Sequence, residues 1–141
     1  MDKYDKLKLS NQLCFPLYAC AKEVVKKYRP FLDELNLTYT QYITMMVLWE
    51  EKELSVKELG ERLFLDSGTL TPVLKSLAGK GYISRTRSTK DERVLIVSLT
   101  GKGLALRDEA VSIPDKVSGC VTLGHDESMQ LYELLYKLLR G

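Results

Sequence analysis

The apolar and polar positions divide the chain into amphipathic helical segments, interrupted once by two short alternating stretches. Ser10 opens the first helical pattern, with Leu13, Leu17, Ala21, Val24 and Tyr28 on one face. Pro16 falls near its start, where a missing N–H costs least if the helix starts late and otherwise kinks it, and Pro30 is expected to interrupt or redirect the chain. A short amphipathic piece, Phe31 to Leu35, and a turn at Asn36-Leu37 follow. Thr38 and Gln41 have the spacing of a capping box and open a helix through Glu50, in which Tyr39, Ile43, Met46 and Val47 share a face. Ser55 and Glu58 repeat that signal before a helix that buries Val56, Leu59 and Leu63 and exposes Lys57, Glu61 and Arg62. A turn, Phe64 to Asp66, then leads into Ser67–Lys75, where Leu70, Leu74 and Leu77 recur at i, i+4 and i+7.

The face opposite that stripe holds Ser67, Gly68, Thr69, Thr71, Pro72, Lys75 and Ser76, with no acid among them. Short side chains let a helix backbone approach base edges, hydroxyls bond phosphates or bases, and a threonine methyl touches thymine. An ordinary solvated face has a similar composition, so the neighbours decide. Two helices joined by a tight turn form a helix-turn-helix, and Gly79 and Gly81 end its second helix. Tyr82–Arg87 and Arg93–Leu99 then alternate around the polar stretch Ser88–Glu92, which predicts a hairpin with a mostly basic tip. Arg85, Arg87, Lys90 and Arg93 fall on this wing, where they can reach phosphates or the minor groove.

Thr100 caps a helix over about 102–111, and Pro114 breaks or kinks it. A weaker helical segment spans 116–121, and the last helix, about 126–139, carries the stripe Leu131, Leu134, Leu135 and Leu138. The expected fold is mainly α with a small β-hairpin wing (α+β): a winged helix-turn-helix with N- and C-terminal dimerisation helices. A single domain is expected, with the DNA-binding core at 37–100 and the dimerisation helices at 1–36 and 101–141. A dimeric reader engages two half-sites one helical turn apart. The alternative for the outer helices is packing on their own subunit.

At 141 residues, 45% hydrophobic and 28% charged, the chain suits one globular domain. No apolar run approaches the ~20 residues of a membrane span, and no signal-peptide pattern opens the chain. A cytoplasmic protein is expected. The net charge of +2 means that affinity for nucleic acid must come from local clustering of charge. With one histidine, a His-rich metal site is not expected, and no cofactor is. Cys14, Cys20 and Cys120 form no C-x-x-C motif and should be free thiols in a reducing cytosol. Cys20 lies about 600° around the helix from Cys14 and reads as core filler. On the residues alone, the simpler reading of Cys14 is an inert buried thiol on an apolar face. A sensor thiol needs access and a stabilised thiolate, here from a helix terminus or from tyrosine hydroxyls across an interface.

The stretch L-D-S-G-T-L-T-P-V-L-K at 65–75, with D-E-R at 91–93 and S-L-T at 98–100, resembles the MarR family of bacterial transcriptional regulators. Q-L-C-F-P-L-Y at 12–18, K-K-Y-R-P-F-L at 26–32 and L-T-Y-T-Q-Y at 37–42 resemble its OhrR/SarZ-like, organic-hydroperoxide-sensing subgroup. The likeness covers nearly the whole chain and weakens after about Ile113. Pro16 departs from it, standing where a larger apolar residue is usual.

The resemblance implies a homodimeric, non-enzymatic, redox-sensing repressor that holds an inverted-repeat operator in double-stranded DNA and releases it when Cys14 is oxidised by organic hydroperoxide. Tyr28 and Tyr39 are then expected to bond Cys14 from the other subunit, with Tyr18 a further aromatic near the site. Ser67, Gly68, Thr69, Thr71 and Pro72 fall in the groove-reading helix, and Lys75 is a basic contact beside it. Arg85, Arg87, Asp91 and Arg93 fall on the wing, the aspartate orienting an arginine. Cys120 is a candidate resolving cysteine; a mixed disulfide with a low-molecular-weight thiol, or further oxidation, is the alternative. Rival readings are a MarR-type repressor released by a small phenolic or apolar ligand and, from another class, a thiol peroxidase.

Overall fold

The computed structural model describes residues 2–141. Two short 3-10 turns, Lys3–Leu7 and Leu9–Asn11, precede helix α1, Cys14–Asp33. Then come α2 (Tyr39–Glu51), β1 (Glu53–Ser55), α3 (Val56–Leu63) and α4 (Ser67–Gly79). The wing strands are β2 (Ile83–Arg87) and β3 (Leu95–Leu99), followed by α5 (Gly101–Ala110), α6 (Ile113–Ser118) and α7 (His125–Arg140). Among the described residues, no helix is long and apolar enough to cross a membrane.

The helix starts follow from local chemistry. Thr38 Oγ1 accepts from the Gln41 N–H at 3.2 Å, while Gln41 Oε1 accepts from the Thr38 N–H at 3.1 Å. Ser55 and Glu58 exchange the same pair of bonds at 3.1 and 3.2 Å. Thr100 Oγ1 accepts from the Gly103 N–H at 3.0 Å and starts α5. Each such cap contributes about 1 kcal/mol.

Antiparallel pairing orders the sheet β1-β3-β2. The sequence pattern predicts only the hairpin; β1 is an addition, held by pairing Leu54 opposite Val97. Both side chains are buried, so the wing is anchored to the α2–α3 connection.

The main core gathers Met45, Leu48, Leu59, Leu70, Leu74, Leu77 and Val97 from α2, α3, α4 and β3. A second core joins α1, α2, α5 and α6 through Leu32, Tyr42, Ala110, Ile113 and Val117. Trp49 packs against both, and its indole N–H donates to the Gly103 carbonyl at 2.8 Å. No residue of α7 is buried, and its Leu131, Leu134 and Leu138 face solvent in the single protomer.

Four expectations are corrected. Pro30 does not interrupt α1, which runs on to Asp33. An interior proline costs about 3 kcal/mol, but burying Leu32, 2% exposed, recovers about 2–3 kcal/mol and Phe31 packs beside it. Met46 is exposed, because α2 turns Met45, Val47 and Leu48 inward. Ser76 does not join the open face of α4; its Oγ accepts from Gln41 Nε2 at 2.9 Å. Cys20 is exposed, since Leu32 is the only buried residue of α1 and the earlier turns lie outside both cores. Pro114 does separate two helices, sitting in the first turn of α6 where its missing N–H has no helical partner to lose.

Candidate nucleic-acid interface and thiol site

The α3–α4 connection is tight because of one glycine and one left-handed residue. Phe64 takes φ 56°, and the Leu65 N–H donates to the Gly60 carbonyl at 3.0 Å. A Cβ on Gly60 would stand 2.8 Å from the Leu65 carbonyl oxygen, so any other residue at 60 forces the turn open. Asp66 then caps α4, its Oδ1 accepting from the Thr69 N–H at 2.7 Å. That bond holds the Asp66 carboxyl below the usual carboxylate range.

The apolar face of α4 is fully used, with Leu70, Val73, Leu74 and Leu77 buried. The other face is open: Ser67, Gly68, Thr69, Thr71, Pro72 and Lys75 are all exposed. Thr71 Oγ1 donates to the Ser67 carbonyl at 2.7 Å, and Pro72 has no N–H to give to the Gly68 carbonyl. This gives a low ridge with polar atoms close to the backbone and Lys75 as its one charge. Gly60 and Asp66 have no place in the apolar periodicity. Asp66 carried a legible signal, an acid just before a helical stripe; Gly60 carried none.

On the wing, Arg85 and Arg87 are exposed on β2. The tip closes through the Ser88 N–H, which donates to the Val94 carbonyl at 2.8 Å. Asp91 accepts from the Arg93 peptide N–H at 3.0 Å and from its Nε and Nη2 at 3.1 and 3.2 Å. The fork holds the Asp91 carboxyl below its ordinary range and aims an Arg93 side chain that stays 90% exposed.

Cys14 is the first residue of α1 and is exposed. Leu13, 79% exposed, Phe15, Leu17 and Tyr18 form an open apolar surface around it. Tyr28 and Tyr39 meet at 4.9 Å between ring centroids, and Tyr42 lies 5.8 Å from Tyr28. Burial pushes all three phenols up, Tyr42 to about 12. Tyr28 follows Cys14 by fourteen residues on one helix, about 21 Å along the axis.

Cys120, also exposed, lies just past α6, and its carbonyl accepts from Lys27 Nζ at 3.1 Å. Lys27 is thirteen residues beyond Cys14, about 20 Å along α1, and its bond seats Cys120 towards that far end of the helix. The fold therefore brings together Tyr28 with Tyr39, and Asp91 with Arg93. Within one protomer it keeps Tyr18 one helical turn from Cys14 but holds Tyr28, Tyr39 and Cys120 apart from it.

Residues 22–110 match the family described as transcriptional regulator SarA/Rot. The chain is 49% identical over 138 residues to the organic hydroperoxide resistance transcriptional regulator of Bacillus subtilis (strain 168), covering 98% of this chain and 94% of that one. The chain belongs to the MarR/SarA family of transcriptional regulators. To the HTH-type transcriptional regulator SarZ of Staphylococcus aureus it is 52% identical over 109 residues, 77% of this chain and 74% of SarZ. AbfR of Staphylococcus epidermidis is similar in structure, with 34% identity and a TM-score of 0.74 over 98% of this chain and 95% of AbfR. Against DNA-bound AbfR, both reduced and overoxidized, the TM-score of this MarR/SarA regulator is 0.79; against disulfide-formed AbfR it is 0.69.

Proposed function

We propose that this regulator is a cytoplasmic homodimeric repressor that holds an inverted-repeat operator when reduced and releases it when an organic hydroperoxide oxidises Cys14. The observation that carries the reading is the placement of Cys14. It is an exposed thiol at the start of a helix, inside an uncovered apolar surface, with its expected partner Tyr28 about 21 Å away on the same helix and Tyr39 packed on Tyr28 from α2. A second copy, packed through the N-terminal segment, α1 and α7, supplies Tyr28 and Tyr39 from across the interface.

The Cys14 thiolate attacks the terminal peroxide oxygen. An S–O bond forms, the O–O bond breaks, and the alkoxide leaves as the alcohol with a proton, giving a sulfenic acid. A second thiolate, from Cys120 of the partner subunit or from a low-molecular-weight thiol, then attacks that sulfur; the S–S bond forms, the S–O bond breaks, and the hydroxide leaves as water with a proton from solvent. Tyr28 and Tyr39, phenols that are protonated at neutral pH and that burial pushes further up, donate to the thiolate but lose that geometry once the sulfur carries oxygen or a second sulfur.

In the reduced dimer, Ser67, Gly68, Thr69, Thr71 and Pro72 line the major groove, with Lys75 on phosphate. Arg85, Arg87 and the Asp91-oriented Arg93 reach the minor groove or its phosphates. Gel-shift titration of wild type and Cys14→Ser with cumene hydroperoxide tests the reading. Wild type should lose the operator and Cys14→Ser should keep it; equal release of both would end the assignment of Cys14 as the switch.

A further inference from the structure

One buried amide joins the first turn of α2 to the last turn of α4. Gln41, 7% exposed, lies two residues after Tyr39. Its Oε1 accepts from the Thr38 N–H at 3.1 Å and from Lys80 Nζ at 3.0 Å, while its Nε2 donates to Ser76 Oγ at 2.9 Å. Two donors face the oxygen, which fixes the amide orientation; a flipped amide would turn its N–H groups on the Lys80 ammonium. Lys80 also donates to the carbonyl of Asn36, the φ 53° residue of the α1–α2 turn.

The same end of α4 is gripped from its other side. Lys102 Nζ of α5 donates to the Lys80 carbonyl at 2.8 Å, and Thr100 Oγ1 donates to the Gly81 carbonyl at 2.7 Å. The C-terminal end of α4 is thus held between the turn that carries Tyr39 and the helix that leads towards Cys120. Ser67 to Thr71 lie at the far end of a 13-residue helix.

We propose that Gln41 is the positioning residue that passes displacement of Tyr39 to the recognition helix α4, with Ser76 and Lys80 as its receiving groups. The inference rests on the redox-regulated reading above. Tyr39 and Gln41 share one capped helical turn, so one cannot shift without the other. The leverage is adequate: α4 is about 20 Å long, and a rotation of about 10° at its anchored end moves the reading end by about 3 Å. Groove hydrogen bonds do not survive such a shift.

The test uses the full chain and an inverted-repeat duplex selected from random DNA by reduced wild type. The Kd is measured before and after cumene hydroperoxide, and Cys14 oxidation is followed by thiol titration. Gln41→Met keeps side-chain size but removes the three side-chain bonds; Gln41→Glu keeps the cap and pairs with Lys80. Gln41→Met should leave the rate of Cys14 oxidation unchanged while the ratio of oxidised to reduced Kd falls by about tenfold, roughly the loss expected for one or two hydrogen bonds. Gln41→Glu should retain most of the ratio. A merely structural Gln41 would lower the melting temperature and leave the ratio alone, which overturns the proposal. Ser76→Ala cuts the link from the α4 side; if Gln41→Met does not fold, an unchanged ratio in Ser76→Ala overturns the proposal equally. Failure of wild type itself to release DNA would overturn the redox reading and this proposal together.

Discussion

Cys14 and Tyr28 stand fourteen residues apart on one unbroken helix, about 21 Å along its axis. A hydrogen bond spans about 3 Å, so one protomer cannot close this pair, and a contact between them must cross a dimer interface. Tyr28→Phe should keep the fold, because the ring still packs on Tyr39 and Tyr42. It should slow Cys14 oxidation by about tenfold, the loss of one hydrogen bond to a charged group. A mixed dimer of one Tyr28→Phe chain and one Cys14→Ser chain has a single Cys14, which faces the intact Tyr28 of the other chain. That dimer should oxidise at the wild-type rate. Oxidation as slow as in the Tyr28→Phe homodimer would place the contact within one chain.

The tyrosine cluster also predicts an alkaline stability profile. Burial raises the Tyr28, Tyr39 and Tyr42 phenols above the unfolded value of 10.0, Tyr42 to about 12. The native state therefore holds protons that the unfolded chain releases, so stability falls as pH rises. The contribution is complete below about pH 10 and is lost as pH climbs towards 12. Tyr42→Phe should flatten the fall in urea midpoint between pH 10 and 12. A slope identical to wild type would show that Tyr42 does not carry it.

Gly103 predicts a large stability effect at a position with no polar side chain to lose. A Cβ there would stand 2.1 Å from the Tyr82 carbonyl oxygen and 2.8 Å from Leu99 Cδ1. The Gly103 carbonyl also receives the Trp49 indole N–H at 2.8 Å. Gly103→Ala should cost about 3 kcal/mol in urea unfolding, the upper end for overpacking a core. Trp49 is the only tryptophan and touches both cores, so its emission should report the loss.

What could be read in advance was what short-range chemistry decides. Thr38 with Gln41, and Ser55 with Glu58, cap helices through atoms three residues apart, so their spacing carries the signal. Leu70, Leu74 and Leu77 bury as one stripe because 3.6-residue periodicity leaves them no other face. Pro30 misled because a local penalty met a tertiary reward, the burial of Leu32. β1 was invisible, since three residues acquire strand geometry only by pairing with β3, more than forty residues on. Ser76 carries a solvent-facing pattern locally, and its bond to Gln41, thirty-five residues earlier, is a tertiary contact that short-range spacing does not contain. The separation of Cys14 from Tyr28 was latent in their numbering, but it needed a continuous α1 through Tyr28 to become a distance.

The open face of α4 and the wing predict separable effects on DNA. Lys75 is exposed and sits four residues past Thr71, and the proposed reading puts its cation on phosphate and not on a base. Lys75→Met should weaken binding to all sequences alike and reduce the slope of log K against log salt by about 0.9, the value for one phosphate contact. Thr69→Ala removes a hydroxyl and a methyl but no charge, so the salt slope should stay the same while discrimination at one base pair falls by about 1–3 kcal/mol. Asp91→Ala leaves the Arg93 charge in place but removes the fork that aims it. Affinity should drop with this variant without loss of salt dependence, because the guanidinium must then be ordered at the cost of its own rotamer entropy. Salt-titrated binding on the selected duplex and on single-base variants distinguishes the three. A salt slope that fell for Thr69→Ala, or discrimination that fell for Lys75→Met, would reverse the assignment of the two residues on α4.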